Sequence, residues 1–489
     1  MGICVGIDLG TTYTKIAYVD NFGNAVGLNN MEGTHMTPSV VFFESPEDIV
    51  VGQTAKELVY LEPEKAVCGI KRLIGKSNFA INFQGEDLSP EEVAAFIIKK
   101  VTNDASMLLG EDIDEAVIAV PTYWGINEVM AIRNAGAIAG IDKVSVVTET
   151  TAAALAYSVA LKEQNQAVLI YDLGGSSFQV AVAAFNGTDI RVICSDGDDE
   201  LGGRDWDDVI YKYLEDEFCA ETSFDGDFDI YAQQDLRLKA ERAKQQLSSR
   251  EEVRVLFDAA GLCARISISR TTFEEITQTL LNESIEKTDE VIASAESKGY
   301  KIDEIILVGG SSLMPQVRNI LVKKYGIEPK IYEPDLSIAK GAAIYASLYA
   351  NEPPMPIHIC SDDYAILVTA KGKNVTHNIS IKDWKLSDFF LGATRSVGLI
   401  DYDGGQMEFS IYEYNNVEAY STQDCINKNK YIKLAEFAFD NSDSAIPAFI
   451  QIELTLSIKG TIRICCKKVN DGKESIKVRL KAHSKLNCN

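Results

Sequence analysis

The feature that most constrains this chain is a repeat. Residues 6–20, GIDLGTTYTKIAYVD, and residues 170–185, IYDLGGSSFQVAVAAF, share one plan: an apolar run, Asp-Leu-Gly, small hydroxylated or glycine residues, then a second apolar run. An apolar segment broken by a tight glycine turn and then resumed reads as a β-hairpin. In both copies an aspartate, Asp8 or Asp172, ends the first strand. Two such hairpins separated by a domain-sized stretch predict a duplicated fold.

Strand and helix signals alternate after each hairpin. DEAVIAVPTYW (114–124) reads as a strand ended by a proline turn, and INEVMAIRNAGAIAG (126–140) carries helical apolar spacing with Gly140 as its stop. DEIILVGGSSLMPQVRNILVKKYG (303–326) repeats strand, glycine turn and helix, with Pro315 near the helix start where its missing N–H is harmless. This alternation predicts an α/β region to about residue 350.

The pattern then changes. NEPPMPIH (351–358) is proline-rich and suits an extended linker. Beyond it the period is two: Ile450, Ile452, Leu454, Leu456 and Ile458 alternate with polar residues, and SIKVRLK (475–481) does the same. Turn signals at Asp403-Gly404-Gly405 and Asp471-Gly472 divide such runs, so this part is expected to be an antiparallel β-sandwich. The expected division is 1–352, a linker at 353–362, and 363–489, with no helix-period segment after the strands.

A hydrophobic fraction of 46% with 24% charged residues is that of a globular protein with sizeable cores. The net charge of -25 excludes nucleic acid or an anionic membrane as a partner held by bulk electrostatics. A phosphate-bearing ligand must therefore be held locally, by backbone amides, a metal and a few placed cations. The start MGICVGIDLG has no basic n-region and no long apolar run, so a cytoplasmic protein without signal peptide or membrane anchor is expected. The 10 cysteines form no CxxC pair and are expected as reduced thiols, and the 4 histidines form no ligand cluster.

The turn of the first hairpin offers Gly10, Thr11, Thr12 and Tyr13 after Asp8; the second offers Gly174, Gly175, Ser176 and Ser177 after Asp172. Glycine lets the backbone approach a phosphate, successive N–H groups and hydroxyls can hold its oxygens, and a strand-end aspartate suits magnesium held through water. One such loop alone reads more readily as an ordinary hairpin turn, and two copies at domain spacing reverse that. LGGRDWDD (201–208) and LVGGSSLMP (307–315) add two more glycine turns, and four around a duplicated fold point to a nucleotide in the cleft.

The ordered set GIDLGTTYTKIAYV, EGTHMTPSVVFF (32–43), GIKRLIGK (69–76), VPTYW, TETTAAALAYS (148–158), DLGGSSFQV, LGGRDWDD, ERAKQQLSS (241–249), LVGGSSLMP and AKGAAIYA (339–346) resembles the seventy-kilodalton heat-shock chaperones, the DnaK-like family. The resemblance covers nearly all of the first 350 residues. It implies a two-lobed, actin-like ATPase domain of duplicated, ribonuclease H-like α/β fold, followed by an antiparallel β-sandwich that binds peptide. It implies ATP or ADP with Mg2+ and also K+, unfolded or extended polypeptide clients, and a J-domain co-chaperone and nucleotide exchange factor as partners.

Carried onto this sequence, the resemblance assigns Asp8 and Asp172 to magnesium and its waters. Gly10, Thr11, Thr12, Tyr13, Gly174, Gly175, Ser176 and Ser177 would wrap the β and γ phosphates, with Gly202 and Gly203 from the other lobe. Lys71 matches the catalytic lysine and Glu149 the carboxylate that places water and metal. Glu241, Lys244, Gln245 and Ser248 share one helix face and would hold ribose and adenine. Gly309, Gly310, Ser311 and Leu313 would close the other side, with Asp335 near the base.

Several residues depart from the family pattern. Gln179 stands in place of an acid, Ser176 and Ser177 replace Gly and Thr, Thr150 replaces Pro, and Gln245 and Leu313 fall where many members carry arginines. The linker signature and the helical lid of the family find no counterpart in the tail. The leading expectation is an ATP-binding chaperone that hydrolyses ATP slowly. The alternatives are a nucleotide-gated interaction module with little hydrolysis and a small-molecule kinase of the same superfamily.

Overall fold

The computed structural model describes residues 3–45, 48–59, 61–76, 80–83, 86–161, 165–186 and 189–349, and eight strands between Tyr364 and Leu480. The chain divides into two compact units: residues 1–122 with 131–348, and residues 349–489 with 123–130. The expected linker, 353–362, lies outside the described residues.

Two sheets organise the first unit, and they have the same strand order. The first runs Lys143–Thr148, Ile113–Val120, Ile3–Leu9, Tyr13–Val19, Ala25–Gly27, with Thr37–Pro38 added beside Tyr13–Val19. The second runs Asp189–Asp198, Phe178–Asn186, Gln166–Leu173, Glu304–Val308, Lys330–Ile331. In each, the first strand of the hairpin is central, antiparallel to its hairpin partner and parallel to a strand that arrives later in the chain. The duplication expected from the two Asp-Leu-Gly hairpins is therefore present as topology.

The second central hairpin is covered on both faces, so its strands read as near-continuous apolar runs instead of alternating. Val168 to Leu173 and Phe178 to Phe185 are all buried, Gln179 among them. The larger core packs this sheet against the helices Gly203–Thr222, Ile230–Leu247 and Gln278–Ser297, with Trp206, Tyr171, Phe178 and Phe257 fully enclosed. The hairpin Glu252–Ala259/Leu262–Ser269 closes that core with alternating buried and exposed residues, the pattern of a one-faced sheet.

Small residues set how closely the helices approach. The helices Glu149–Ser158 and Ser337–Tyr349 meet at Gly341, where a Cβ would run into the backbone carbonyl of Ala152. Ser337–Tyr349 also lies against the first strand, where a Cβ on Gly6 would strike the backbone of Ala339 and Ala343. The alanine-rich runs TETTAAALAYS and AKGAAIYA are thus packing surfaces for close backbone approach.

The helix Pro90–Leu109 begins with a capping box, in which Ser89 accepts from Glu92 N and Glu92 accepts from Ser89 N, and ends at left-handed Gly110. Pro315 stands at the first position of the helix Pro315–Tyr325, where its missing N–H costs nothing. Cys4, Cys68, Cys194, Cys219 and Cys263 are free thiols. Among the described residues no helix is long and apolar enough to cross a membrane.

In the second unit, Lys373–Ile379, Tyr364–Ala370, Gln406–Tyr414 and Tyr431–Asp440 form one four-stranded sheet, and Thr394–Tyr402, Ala448–Leu456, Ile462–Lys468 and Glu474–Leu480 another. Every pairing in both sheets is antiparallel. The all-β character expected from the period-two pattern is present in these two sheets.

Candidate functional site

The first unit holds a cavity of about 690 Å³, a size that suits a small-molecule ligand. The turns of both central hairpins open into it. In the first, the register pairs Asp8 with Lys15 and Leu9 with Thr14, leaving Gly10, Thr11, Thr12 and Tyr13 between them. Ser39 fixes this turn from outside: its hydroxyl donates to the Gly10 carbonyl at 2.7 Å and its N–H to the Thr12 carbonyl at 2.9 Å.

In the second hairpin Asp172 pairs with Gln179 and Leu173 with Phe178, and the turn is closed by Gly174 N–H donating to the Ser177 carbonyl at 2.9 Å. The two turns touch. The Ser176 hydroxyl donates to Thr11 Oγ1, and a Cβ on Gly175 would collide with the Thr12 hydroxyl. Arg72 braces the second turn by donating to the Ser176 carbonyl at 2.6 Å. Two glycine-hydroxyl turns are therefore apposed across one cavity, with a strand-end aspartate beneath each.

Lys71 and Glu149 complete the polar floor. Lys71 follows left-handed Gly69 in the 3-10 turn Ile70–Leu73 and is buried; it donates to Glu149 Oε1. Glu149 opens the helix capped by Thr148, which places its carboxylate at the positive end of the helix dipole. Its other oxygen accepts from Gln179 Nε2, and Gln179 Oε1 accepts from Thr122 N at 2.8 Å and Thr122 Oγ1 at 3.0 Å. Burial, the Glu149 carboxylate and then the Asp8 carboxylate push the Asp172 carboxyl up to about 8, against Lys71 and Lys15. Lys15 contacts Asp8 and Lys71 contacts Glu149, so the three carboxylates Asp8, Glu149 and Asp172 face two lysines, a donor set that accommodates an added cation.

No group of three or more His, Cys, Asp or Glu able to hold a metal occurs among the described residues. Magnesium fits the Asp8 and Asp172 pair in another way, because it keeps several waters and binds through one or two carboxylates together with phosphate oxygens.

The opposite wall is the helix Ile230–Leu247, which presents Glu241, Lys244 and Gln245, with Ser248 as its C-cap. Gln245 Nε2 donates to Glu241 Oε1 at 3.3 Å, and Lys56 stacks over the Tyr13 ring at 5.0 Å and lies 3.8 Å from Glu241. Lys244 is buried, donating to the Gly203 carbonyl at 2.5 Å and standing 2.7 Å from Asp207. Burial pushes the Asp207 carboxyl up to about 6 despite Lys244. Gly309, Gly310, Ser311 and Asp335 line the facing side.

Of the residues singled out from sequence, Asp8, the two turns, Lys71, Glu149, Asp172, the 241–248 face, Gly309 to Ser311 and Asp335 all line this one cavity. Three do not. Gly202 and Gly203 lie behind the second turn: Gly203 N–H donates to the Gly174 carbonyl at 3.0 Å, and a Cβ on Gly202 would strike the Ser176 backbone. Leu313 is 40% exposed and outside the lining, where Met314 stands instead. The 3-10 turn Gly310–Leu313 directs the following residue inward.

Sequence reasoning passed over Lys15, Arg72, Thr122 and Asp207. Lys15 had a signal in the repeat itself: it follows Asp8 at the spacing by which Gln179 follows Asp172, so the two are register equivalents. Arg72, Thr122 and Asp207 are brought in by tertiary packing alone.

Comparison with known proteins agrees with this geometry. The chaperone protein DnaK of Thermosipho melanesiensis is 38% identical over 355 residues, covering 71% of this chain and 59% of that protein. DnaK of Thermotoga petrophila is 37% identical over the same share of each. The match therefore spans about three fifths of the length of these relatives. The family model described as Hsp70 protein matches residues 4–81 and 76–357, the stretch that builds both hairpin sheets and every wall of the cavity. The chain belongs to the Hsp70 family.

Proposed function

We propose that the first unit binds ATP or ADP with magnesium and hydrolyses ATP slowly, and that nucleotide state governs the binding of extended polypeptide by the β-rich part. The observation that carries this reading is the apposition of the two hydroxyl-bearing turns over the buried Lys71–Glu149 pair. Backbone N–H groups and hydroxyls of residues 10–13 and 174–177 would hold the β and γ phosphates. The 241–248 face, with Gly310 and Asp335, would hold ribose and base.

Asp8 and Asp172 would hold magnesium through water, and the ion would supply charge neutralisation on the phosphates. The chain's own contribution is positioning. Glu149 accepts a proton of the attacking water in a hydrogen bond and orients its oxygen toward the γ-phosphorus. Lys71 lies beside Glu149 and offers its ammonium to the γ-phosphate oxygens. The water oxygen bonds to phosphorus as the bond to the ADP oxygen breaks, and both of the water's protons leave with the phosphate as dihydrogen phosphate.

A second reading, a nucleotide-gated interaction module with little hydrolysis, draws support from Gln179. Its amide donates to one Glu149 oxygen and Lys71 to the other, so less of the carboxylate's accepting capacity is left for an attacking water. Single-turnover hydrolysis with and without an extended hydrophobic peptide separates the two. Peptide-stimulated phosphate release supports the coupled chaperone. Tight nucleotide binding without turnover supports the module, and absence of nucleotide binding removes both. A J-domain co-chaperone and an exchange factor are proposed partners on the family resemblance alone.

A further inference from the structure

The phosphate site contains a cation that the proposed function leaves unused. Lys15 projects from the strand after the first turn, directly across the register from Asp8, with its Nζ 3.0 Å from Asp8 Oδ2. Its side chain is 15% exposed and lines the cavity under the turn, where a Cβ on Gly10 would lie 3.7 Å from the ammonium. The Asp8 carboxylate is in direct contact with the ammonium, and the carboxylates of Asp172 and Asp335 line the same cavity. The register equivalent of Lys15 in the second hairpin is Gln179, which is neutral.

A cluster of buried carboxylates beside a polyphosphate needs more positive charge than one divalent ion supplies, and a monovalent cation from solvent is the ordinary remedy. A tethered ammonium does the same work without the entropy of capturing an ion. Resting on the nucleotide reading above, we infer that the Lys15 ammonium is a built-in monovalent cation of this site. The chain would then hold a magnesium nucleotide without an alkali cation.

The test is calorimetric titration of the full chain with MgADP in potassium chloride and in choline chloride at equal ionic strength. The wild-type dissociation constant is expected to agree within about twofold between the two salts. Lys15→Met, which keeps the apolar stem, is expected to bind about tenfold more weakly in choline than in potassium, a difference of roughly 1.4 kcal/mol. Lys15→Arg, which keeps the charge, is expected to be indifferent to the salt. Thermal melting of each variant without nucleotide establishes that it is folded; were Lys15→Met unfolded, the wild-type and Lys15→Arg titrations decide alone. Wild-type binding that needs potassium overturns the inference and leaves the nucleotide reading standing. So does a folded Lys15→Met that binds equally well in both salts. Absence of binding in every salt overturns both.

Discussion

Gln179 donates a hydrogen bond to Glu149, whose other carboxylate oxygen accepts from Lys71. The orientation of the amide is fixed from behind, because Thr122 donates to its oxygen through both N–H and hydroxyl, leaving only the NH2 to face Glu149. A residue that looks from sequence like a lost acid is, in the fold, the neutral member of a crowded carboxylate cluster. Substituting Gln179→Glu keeps the shape and adds a buried charge near Glu149 and Asp172. The expected result is a melting temperature lower by about 5 °C or more at pH 8, on the scale of a stranded buried charge. The loss should shrink at pH 5, where the new carboxyl is protonated. Scanning calorimetry at the two pH values checks it, and an unchanged melting temperature at pH 8 counts against the arrangement.

Lys71 and Glu149 are both buried, so removing one strands the other. Lys71→Met is expected to destabilise the chain by about 3 kcal/mol. Combined with Glu149→Gln it should recover part of that loss, because no charge is then left unpaired. Urea unfolding of the two single variants and the double variant gives the coupling; strict additivity would show that the two side chains do not depend on each other.

Gly175 is in contact with the Thr12 hydroxyl, so any side chain there pushes the two turns apart. Gly175→Val should weaken nucleotide binding by at least about tenfold while the far-ultraviolet circular dichroism stays that of the wild type. Its control is Gly261→Ala, at a positive-φ hairpin turn with nothing within 4 Å, which should leave nucleotide binding alone. Equal effects of the two substitutions would detach the loop contact from ligand binding.

Without nucleotide or divalent metal, Asp172 carries a carboxyl pushed up to about 8 by burial and by the Glu149 and Asp8 carboxylates. The folded state then binds more protons than the unfolded state between the ordinary aspartate value, roughly 4, and 8, so this group's contribution to stability falls as pH rises across that window. Asp172→Asn removes the term. The difference in melting temperature, variant minus wild type, is expected to grow from pH 5 to pH 8 in the ligand-free protein; a flat difference would mean that Asp172 is ionised throughout.

Much of this site was legible in the sequence because repeats expose themselves. Two Asp-Leu-Gly turns predicted both hairpins, and their shared plan predicted a duplicated fold, which the structure shows as two sheets of the same strand order. Gly10 and Gly175 were found by turn pattern, whereas the 241–248 face, Lys71 and Glu149 were reached only through the family resemblance. Thr122 and Asp207 were reached by neither, because their roles depend on which strand or helix end arrives beside Gln179 or Lys244, and no local periodicity carries that. Gly202 and Gly203, expected from the resemblance to line the phosphates, are absent from the cavity lining and pack closely behind the second turn. Lys15 was readable in principle from the register of the repeat, but its meaning depends on three carboxylates contributed by separate strands and a loop.

The most direct test of the central claim is single-turnover hydrolysis of MgATP by the full chain beside its Lys71→Ala variant, with bound nucleotide measured in the same samples. The account predicts slow phosphate release by the wild type and a loss of at least about a hundredfold in the variant, which still binds nucleotide. Hydrolysis by Lys71→Ala at the wild-type rate, or a wild-type chain that binds no nucleotide, would contradict it.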